Sequence, residues 1–429
     1  MTTYKPRRSS PSPRCSSGGG AFLRSRASWL IANASVTFGA AMGMKVLDLV
    51  VMIVASRYLA FEVVGLAILA ESIAGLTFSM GDFGLRTVLT RRAARGQMAR
   101  PTFVRAVGLR ASAVVLCFGA VSVALFALAP EHAPPLSGFL LAWALFQIHD
   151  VGRAVLSGQE RFALNAALGV AARIVGATVA IVGMAASATI LWWVLGKLVA
   201  ETLHLVMVGW FVWRKLPRSG PKADRTLVRE GIPFWSRQAV DVLSDHLEVL
   251  LVTFYLGLQG AAYFGIAARI LGGGLLVVGS ISAVAFPDLA RRSAQPLRWR
   301  YVWGMGTLAL VMAGTIAALG PWAVRLVFSE WTPNGDLTLR VLAIALLFVT
   351  VYQPTAVWLE AHDRELRVLA VNALALPISV GSLLLLVPLW GAAGAAAAAA
   401  VRTMVQAVGA VGQAAALSRR LARSGAADG

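Results

Sequence analysis

The stretch "YLAFEVVGLAILAESIAG", residues 58–75, recurs in a weaker form 197 residues later as "YLGLQGAAYFGIAARILG", residues 255–272. Five positions are identical in the two stretches, those of Tyr58, Leu59, Ala70, Ile73 and Gly75. A second match pairs "LTRRAA", residues 89–94, with "LARRSA", residues 289–294. Both matches pair a stretch in the first half of the chain with one at the corresponding point of the second half. The chain is therefore predicted to contain an internal repeat.

The composition of the chain requires lipid as its solvent. Of its 429 residues, 58% are hydrophobic and 14% are charged, and the mean hydropathy is +0.72. A soluble domain carries about 25% charged residues. Apolar runs long enough to cross a bilayer recur along nearly the whole length, which predicts an all-α polytopic membrane protein of about twelve helices. The predicted segments are 28–56, 62–85, 103–129, 136–157, 162–185, 188–213, 232–257, 260–287, 301–328, 338–359, 366–388 and 391–417.

The lysines and arginines predict the orientation of these segments. If the N-terminus is cytoplasmic, 30 of the 39 lie in the tails and connections on the cytoplasmic side, three lie outside and six lie within helices. This asymmetry is the positive-inside pattern, so both termini are predicted to be cytoplasmic. The net charge of +19 then faces anionic lipid, and nucleic acid is not needed as a partner.

A basic linker divides the helices into two sets of six. The predicted organisation is a disordered basic tail over 1–26, an N-terminal lobe over 27–213, the linker over 214–230, a C-terminal lobe over 231–417 and a tail over 418–429. Because six is an even number, both copies enter the membrane from the same side. The repeat is therefore predicted to be parallel, with its axis along the membrane normal.

One tripeptide of this sequence matches an enzyme motif, but the other motifs of that enzyme class are missing. Asp82, Phe83 and Gly84 form the tripeptide that holds magnesium in protein kinases, but the Gly-rich loop, lysine and catalytic loop of a kinase are absent. The five histidines show no metal-ligand spacing and the two cysteines lie far apart. The predicted outside connections are too short for the catalytic domain of a glycan polymerase or ligase. The sequence therefore predicts no enzyme activity, no cofactor and no metal site.

Four motifs carry a family resemblance. They are "YLAFEVVGLAILAES" and "GDFGLRTVLTRRAA" in the first half, and "YFGIAARI" and "AFPDLARR" in the second. On these motifs the chain resembles the Wzx-like polysaccharide-unit flippases of the multidrug/oligosaccharidyl-lipid/polysaccharide exporter (MOP) superfamily, over most of residues 28–417.

The resemblance implies both a fold and a cargo. The fold would be a MATE-like V of two six-helix lobes that alternates between inward and outward openings. The cargo would be an undecaprenyl-diphosphate-linked oligosaccharide, such as a unit of O-antigen or exopolysaccharide, turned from the cytoplasmic to the outer leaflet of the bacterial inner membrane. Membrane lipids and the polysaccharide polymerase and export machinery would be the partners.

The seventh segment carries a stripe of charge. Its members Arg237, Asp241, Asp245 and Glu248 follow one helical face. A charge in a spanning helix costs roughly 2.5–3.5 kcal/mol on insertion scales and is a functional candidate by default. The stripe either lines a wet cavity or forms a polar seam closed by interhelical pairs, and we favour the cavity.

Two further pairs of charges lie within predicted helices. Lys45 and Asp48, three residues apart in the first segment, either neutralise each other or leave Lys45 to meet an anionic cargo. Lys197 and Glu201, four residues apart in the sixth segment, are predicted to form a local structural pair.

Three arginines have no local partner. Arg173, Arg269 and Arg402 lack a carboxylate three or four residues away, so each needs a partner on another helix or a phosphate, whose oxygens a guanidinium group matches well. The candidate cargo-binding residues are Lys45, Arg173, Arg237, Arg269 and Arg402. The candidates for binding a coupling ion, H⁺ or Na⁺, are Asp48, Asp241, Asp245 and Glu248.

Three functions remain open at this point. A lipid-linked oligosaccharide flippase is favoured by the motifs and by the six cations within helices. An H⁺- or Na⁺-coupled small-molecule exporter of the same fold would need an acidic cavity without those cations. A membrane glycan polymerase or ligase is the third and least favoured.

Overall fold

The computed structural model describes residues 19–219, 226–291, 299–328, 330–362 and 364–427. These ranges are helical and contain no strand. The helices are α1 (Gly19–Tyr58), α2 (Phe61–Met80), α3 (Leu85–Ala94), α4 (Arg100–Leu128), α5 (Ala133–Gly158), α6 (Phe162–Ala186), α7 (Ile190–Lys215), α8 (Leu227–Arg291), α9 (Trp299–Val327), α10 (Pro333–Ala361) and α11 (Glu365–Ala427). We call α1–α7 the N-lobe and α8–α11 the C-lobe.

Ten of these helices are long and apolar enough to cross a membrane, and two of the ten cross it twice. Helix α8 has 65 residues and α11 has 63, whereas a single crossing needs about 20. Each is interrupted by one glycine with a positive φ, Gly257 at 68° and Gly391 at 59°. The predicted count of twelve crossings is confirmed, with breaks where the seventh and eleventh predicted segments end.

The interruption in α11 reverses the chain. A Cβ added to Gly394 would meet the backbone of Leu386, eight residues earlier, which in a straight helix lies about 12 Å away. The two arms of α11, residues 365–390 and 392–427, therefore form a tight hairpin. Helix α8 divides in the same way into a first arm, residues 227–256, and a second arm, residues 258–291.

The first and last helices extend beyond the predicted ends of the two lobes. Helix α1 already begins at Gly19, within the range predicted as a tail, and α11 continues to Ala427. A helix need not stop where the apolar run stops, since its backbone hydrogen bonds continue in water. Residues 1–18 of the predicted tail, residues 220–225 of the predicted linker and the last two residues lie outside the described ranges.

The kinase-like tripeptide forms the connection between α2 and α3. Asp82 is buried, and its Oδ1 lies 2.9 Å from Nη1 of Arg110 on α4. Gly84 has a φ of 67°, which allows the sharp turn into the short helix α3. Asp82 is thus one half of a buried ion pair in the N-lobe.

The distribution of the apolar cores defines a V. The largest cluster joins both lobes, including Phe61 and Trp193 from the N-lobe and Tyr263 and Leu339 from the C-lobe. It lies at the end of the molecule that contains the kink at Gly257. The opposite end carries the arginine-rich connections and is called here the basic end. It has two apolar clusters, one made of N-lobe residues together with Leu227 of α8 and the other made of C-lobe residues.

Helix α2 and α8 form the main contact between the lobes. Gly65 lies against the backbone of Leu258, and Gly84 lies against the backbone of Gly231. Without a Cβ at these glycines the two helices approach closely over the full height of α2. This packing brings polar residues of α2 within reach of α8.

Candidate functional site

A cavity of about 300 Å³ with several charged lining residues lies in the N-lobe, between α1, α2, α5, α6 and α7. Leu276, from the second arm of α8, contributes to its wall, so the C-lobe closes one side. We call it the N-lobe cavity. Its charged lining residues are Lys45, Asp48, Glu71, Arg153, Arg173, Lys197 and Glu201.

Most of these charges form ion pairs between different helices. The Oδ1 of Asp48 on α1 lies 3.5 Å from Nη1 of Arg173 on α6 and 3.8 Å from Nζ of Lys197 on α7. Nη2 of Arg173 also lies 3.2 Å from Oε1 of Glu201 on α7. Arg173, which has no partner on its own helix, therefore has carboxylate partners on two others.

Lys45 differs from the other cations of the N-lobe cavity. Its residue is exposed and lines the cavity, and within the described residues it has no ion pair. The local alternative raised by the sequence would have paired it with Asp48, but the partners of Asp48 are Arg173 and Lys197. Lys45 is left to face the cavity.

Glu71 is a site residue that the sequence analysis did not single out. Its Oε1 lies 2.7 Å from Nζ of Lys197, and its Oε2 accepts a hydrogen bond from Arg269 on the second arm of α8. One carboxylate thus holds a cation from each lobe. The available signal was that Glu71 is the single charged residue in the interior of the apolar helix α2.

The predicted local pair of Lys197 and Glu201 has a different arrangement. Lys197 binds Glu71 and Asp48, whereas Glu201 binds Arg173 and His149. Both side chains are largely buried, so each gains more from a desolvated partner on a facing helix than from a neighbour along its own.

Glu201 also belongs to a group of three buried residues, with His149 and His204, that could hold a metal ion. Nε2 of His149 lies 2.7 Å from Oε2 of Glu201, and the rings of His149 and His204 are 4.2 Å apart. The potential ligand atoms of these three buried residues lie within 4.8 Å of one another. Sequence spacing missed the group because the histidines lie on α5 and α7. The charge of Glu201 is already balanced by Arg173.

The charged stripe of the seventh segment forms interhelical pairs in the C-lobe. Arg402 of α11 lies 2.8 Å from Asp245, through Nη1 and Oδ1, and 3.0 Å from Glu248, through Nε and Oε1. Glu248 and Arg402 are largely buried, whereas the side chain of Asp245 is 64% exposed. Arg402, like Arg173, has carboxylate partners from a facing helix.

Asp241 belongs to a second polar network of the C-lobe. Nδ2 of Asn372 donates a hydrogen bond of 2.7 Å to Oδ1 of Asp241. Oδ1 of Asn372 in turn accepts hydrogen bonds from the hydroxyl of Tyr352 and from the side-chain amide of Gln406. Arg237 lies on the first arm of α8, and its side chain is outside the described part of the structure.

The two lobes repeat one ion pair. In the N-lobe Asp48 of the first crossing meets Lys197 of the sixth, and in the C-lobe Asp245 of the first crossing meets Arg402 of the sixth. Asp48 and Asp245 correspond at the repeat offset of the sequence. The predicted site residues thus form two groups, one in each lobe, and Arg269 belongs to the N-lobe group through Glu71.

Comparisons with known proteins agree with this architecture. A family model described as "Polysaccharide biosynthesis protein" matches residues 30–293. Curated protein sequences give no match.

Solved structures share the fold. The inward closed conformation of the lipid II flippase MurJ aligns with a TM-score of 0.68 and 13% identity, covering 89% of this chain and 87% of that one. The inward-facing conformation of a multidrug resistance MATE family transporter of the MOP superfamily aligns with a TM-score of 0.66 and 16% identity, covering 92% and 99%. A MOP superfamily transporter from Pyrococcus furiosus gives 0.64 and 16%, covering 92% and 96%.

Proposed function

Because the chain belongs to the polysaccharide biosynthesis protein family, we propose that it is a flippase for an undecaprenyl-diphosphate-linked oligosaccharide or polysaccharide repeat unit. It would carry this cargo from the cytoplasmic to the outer leaflet by alternating access. The observation that carries the proposal is the charge of the N-lobe cavity, which has four lining cations against three carboxylates and leaves Lys45 without an ion pair among the described residues.

A lipid diphosphate needs such a cavity to cross the bilayer. Its negative charge is strongly disfavoured in hydrocarbon unless cations accompany it. Lysine and arginine bind phosphate oxygens through charge-assisted hydrogen bonds. Lys45 would make the first contact because its ammonium group is not shared with a carboxylate, and the cationic face of Arg173 would lie next to it.

The positive-inside pattern supports an orientation for this cycle. The basic end carries most of the lysines and arginines of the connections, so it would face the cytoplasm with both termini, in the bacterial inner membrane. Because the basic end has two apolar clusters and not one large cluster that joins both lobes, the lobes would part there to admit cargo. The flipped product would pass to polysaccharide polymerase or export machinery.

A coupled exporter of small cationic molecules is the alternative with the same fold. It would need an excess of carboxylates to attract its cargo. The charged lining residues of the N-lobe cavity have the opposite balance, which favours an anionic cargo over a cationic one.

Ion coupling is a further part of the proposal. Asp48 lines the N-lobe cavity and Asp245 is exposed, so both can be reached by H⁺ or Na⁺, whereas Asp241 and Glu248 would bind an ion only when their interhelical partners move. Flipping in proteoliposomes should slow when the gradient of the coupling ion is collapsed. Flipping that is indifferent to both gradients would exclude coupling.

The cargo itself is tested by reconstitution. Purified protein in proteoliposomes should expose a labelled undecaprenyl-diphosphate oligosaccharide to a membrane-impermeant glycosidase. Lys45→Ala should slow this flipping at least about tenfold, since it removes a charge-assisted contact worth roughly 1.5–3 kcal/mol.

Arg340→Ala is the matched control, because it removes one exposed cation of α10 outside the cavity. Equal rates for Lys45→Ala and Arg340→Ala would contradict the role of the N-lobe cavity. Loss of the gene should also cause the lipid-linked intermediate to accumulate in the inner leaflet, which identifies the glycan.

A further inference from the structure

Glu71, halfway along α2, forms a bridge between the lobes. Its two carboxylate oxygens are divided between two cations, Lys197 of the N-lobe and Arg269 of the C-lobe. The side chains of all three are partly buried, with exposed fractions of 17% to 25%. The contact therefore combines strong electrostatics with access from the adjoining cavity.

The arrangement is that of an anion-binding site already occupied by an anion of the chain. An ammonium group and a guanidinium group converge on two negative oxygens, which is also how such groups hold a phosphate. Glu71 and Lys197 line the N-lobe cavity, so a ligand there would reach Lys197 directly and Arg269 at the place that the Glu71 carboxylate occupies. Arg269 reaches this point from α8, and Leu276 of the same arm lines the cavity wall.

We propose that Lys197 and Arg269 form the diphosphate subsite of this protein and that Glu71 is an intramolecular anion which the diphosphate displaces. The inference rests on the proposed function for the identity of the cargo. A diphosphate offers several negative oxygens, so it can satisfy Lys197 and Arg269 together and replace both contacts of Glu71.

Displacement would also remove one tie between the lobes. With Glu71 in place, α2 is tied to the second arm of α8 through Arg269. With a diphosphate in its place, that tie passes through the cargo, and the packing contacts between α2 and α8 remain. The Oδ1 of Asp48 lies 3.8 Å from Nζ of Lys197, so Asp48 would hold this lysine in position during the exchange.

Binding of inorganic pyrophosphate to the purified full chain tests the subsite. Glu71→Gln removes the competing charge and should bind pyrophosphate about tenfold more tightly than the wild type, a gain of about 1.4 kcal/mol, by isothermal titration calorimetry at constant ionic strength. Adding Arg269→Ala to Glu71→Gln should abolish this gain. Glu62→Gln, an exposed carboxylate of the same helix, is the matched control and should bind as the wild type does.

Two outcomes would overturn the proposal. In one, Glu71→Gln binds pyrophosphate no more tightly than the wild type, and in the other the gain survives Arg269→Ala. If Glu71→Gln does not fold, Glu71→Asp, which keeps the charge but shortens its reach, should still give an affinity above that of the wild type.

The test is independent of the cargo. Pyrophosphate carries neither lipid nor glycan, so a gain in Glu71→Gln supports the subsite even if no lipid-linked oligosaccharide is flipped. Conversely, flipping by the wild type together with unchanged pyrophosphate binding in Glu71→Gln would leave the flippase in place and remove the subsite.

Discussion

Arg402 and Lys45 show how two intramembrane cations can differ in their surroundings. Arg402 is shared between Asp245 and Glu248, so its charge is compensated within the protein. Lys45 lines the N-lobe cavity and has no ion pair among the described residues. Both are among the candidate cargo-binding residues predicted from the sequence, because each is a cation within a predicted apolar helix. Only Lys45 is free to bind an anion without breaking an existing pair.

A structural role for Arg402 predicts a specific loss of stability. Arg402→Ala leaves the buried carboxylate of Glu248 without its cation, which should cost about 3–5 kcal/mol. Thermal unfolding in detergent should show a lower Tm. The double variant Arg402→Ala with Glu248→Gln should recover most of the loss, because it removes the unpaired charge.

Arg340→Ala serves as the control for this series, since Arg340 is exposed. A double variant as unstable as Arg402→Ala alone would mean that the charge of Glu248 is not the cause of the loss.

At the scale of the elements, the hairpins of α8 and α11 create four of the twelve crossings. Each turns at one glycine with a positive φ, where a residue with a Cβ is disfavoured. In α11 the turn is tight enough for Gly394 to lie against the backbone of Leu386. The small residues after this turn therefore allow the two antiparallel arms to approach closely.

This close approach predicts opposite effects of the same substitution at two glycines of α11. Gly394→Ala should destabilise the protein by about 1–3 kcal/mol, because the new methyl group has no space beside Leu386. Gly412→Ala, where no atom lies within 4 Å, should be neutral or stabilising by about 0.5–1 kcal/mol, because it reduces backbone entropy in the unfolded chain. Chemical unfolding compares the two, and equal effects would contradict the tight hairpin.

Helix α3 connects the two lobes. It carries a set of contacts to the start of α8 that we call the clasp. Nη2 of Arg92 lies 2.7 Å from Oε1 of Glu230, and the guanidinium of Arg91 lies 4.5 Å from the ring centre of Phe234. The clasp joins the lobes at the basic end, where Leu227 of α8 also packs in the apolar cluster of the N-lobe.

At the scale of the whole molecule, the two ends of the V are held by different forces. A shared apolar cluster joins the lobes at one end, including the ring contact between Phe61 of α2 and Tyr263 of α8. At the basic end the lobes meet through the clasp, in which Arg92 is largely buried and Glu230 is about half exposed. They also meet there through the contact between the backbones of Gly84 and Gly231 and through Leu227. Since a partly exposed ion pair contributes about 0–1 kcal/mol and the shared apolar cluster lies at the other end, the basic end is where the lobes should separate more readily.

This asymmetry predicts that weakening the clasp opens the basic end. Spin labels at Arg95→Cys in the N-lobe and Arg364→Cys in the C-lobe, both exposed, would report the separation by double electron–electron resonance after Cys15 and Cys117 are replaced by serine. Glu230→Gln with Phe234→Ala should shift the distances to longer values. Glu62→Gln, which changes an exposed carboxylate of α2, is the control and should leave the distances unchanged. An unchanged distance distribution in the clasp variant would show that the clasp does not hold this end.

The class of fold and much of the architecture could be predicted from the sequence. Hydropathy located the crossings, and the breaks near Gly257 and Gly391 followed from the ends of apolar runs. The internal repeat placed Asp48 and Asp245 at corresponding points, and both indeed bind a cation of the sixth crossing of their lobe. These features are local or periodic, and the bilayer imposes the same length and polarity on every crossing.

The pairing of the charged side chains, in contrast, depends on the packing of the helices. The partners of Arg173, Arg269 and Arg402 lie on other helices, and the sequence could say only that such partners or a phosphate were needed. Glu71 and Arg269 are 198 residues apart, and His149 meets Glu201 across two helices. Contacts of this kind depend on how helices pack and rotate in the bundle, which neither hydropathy nor spacing along one helix specifies.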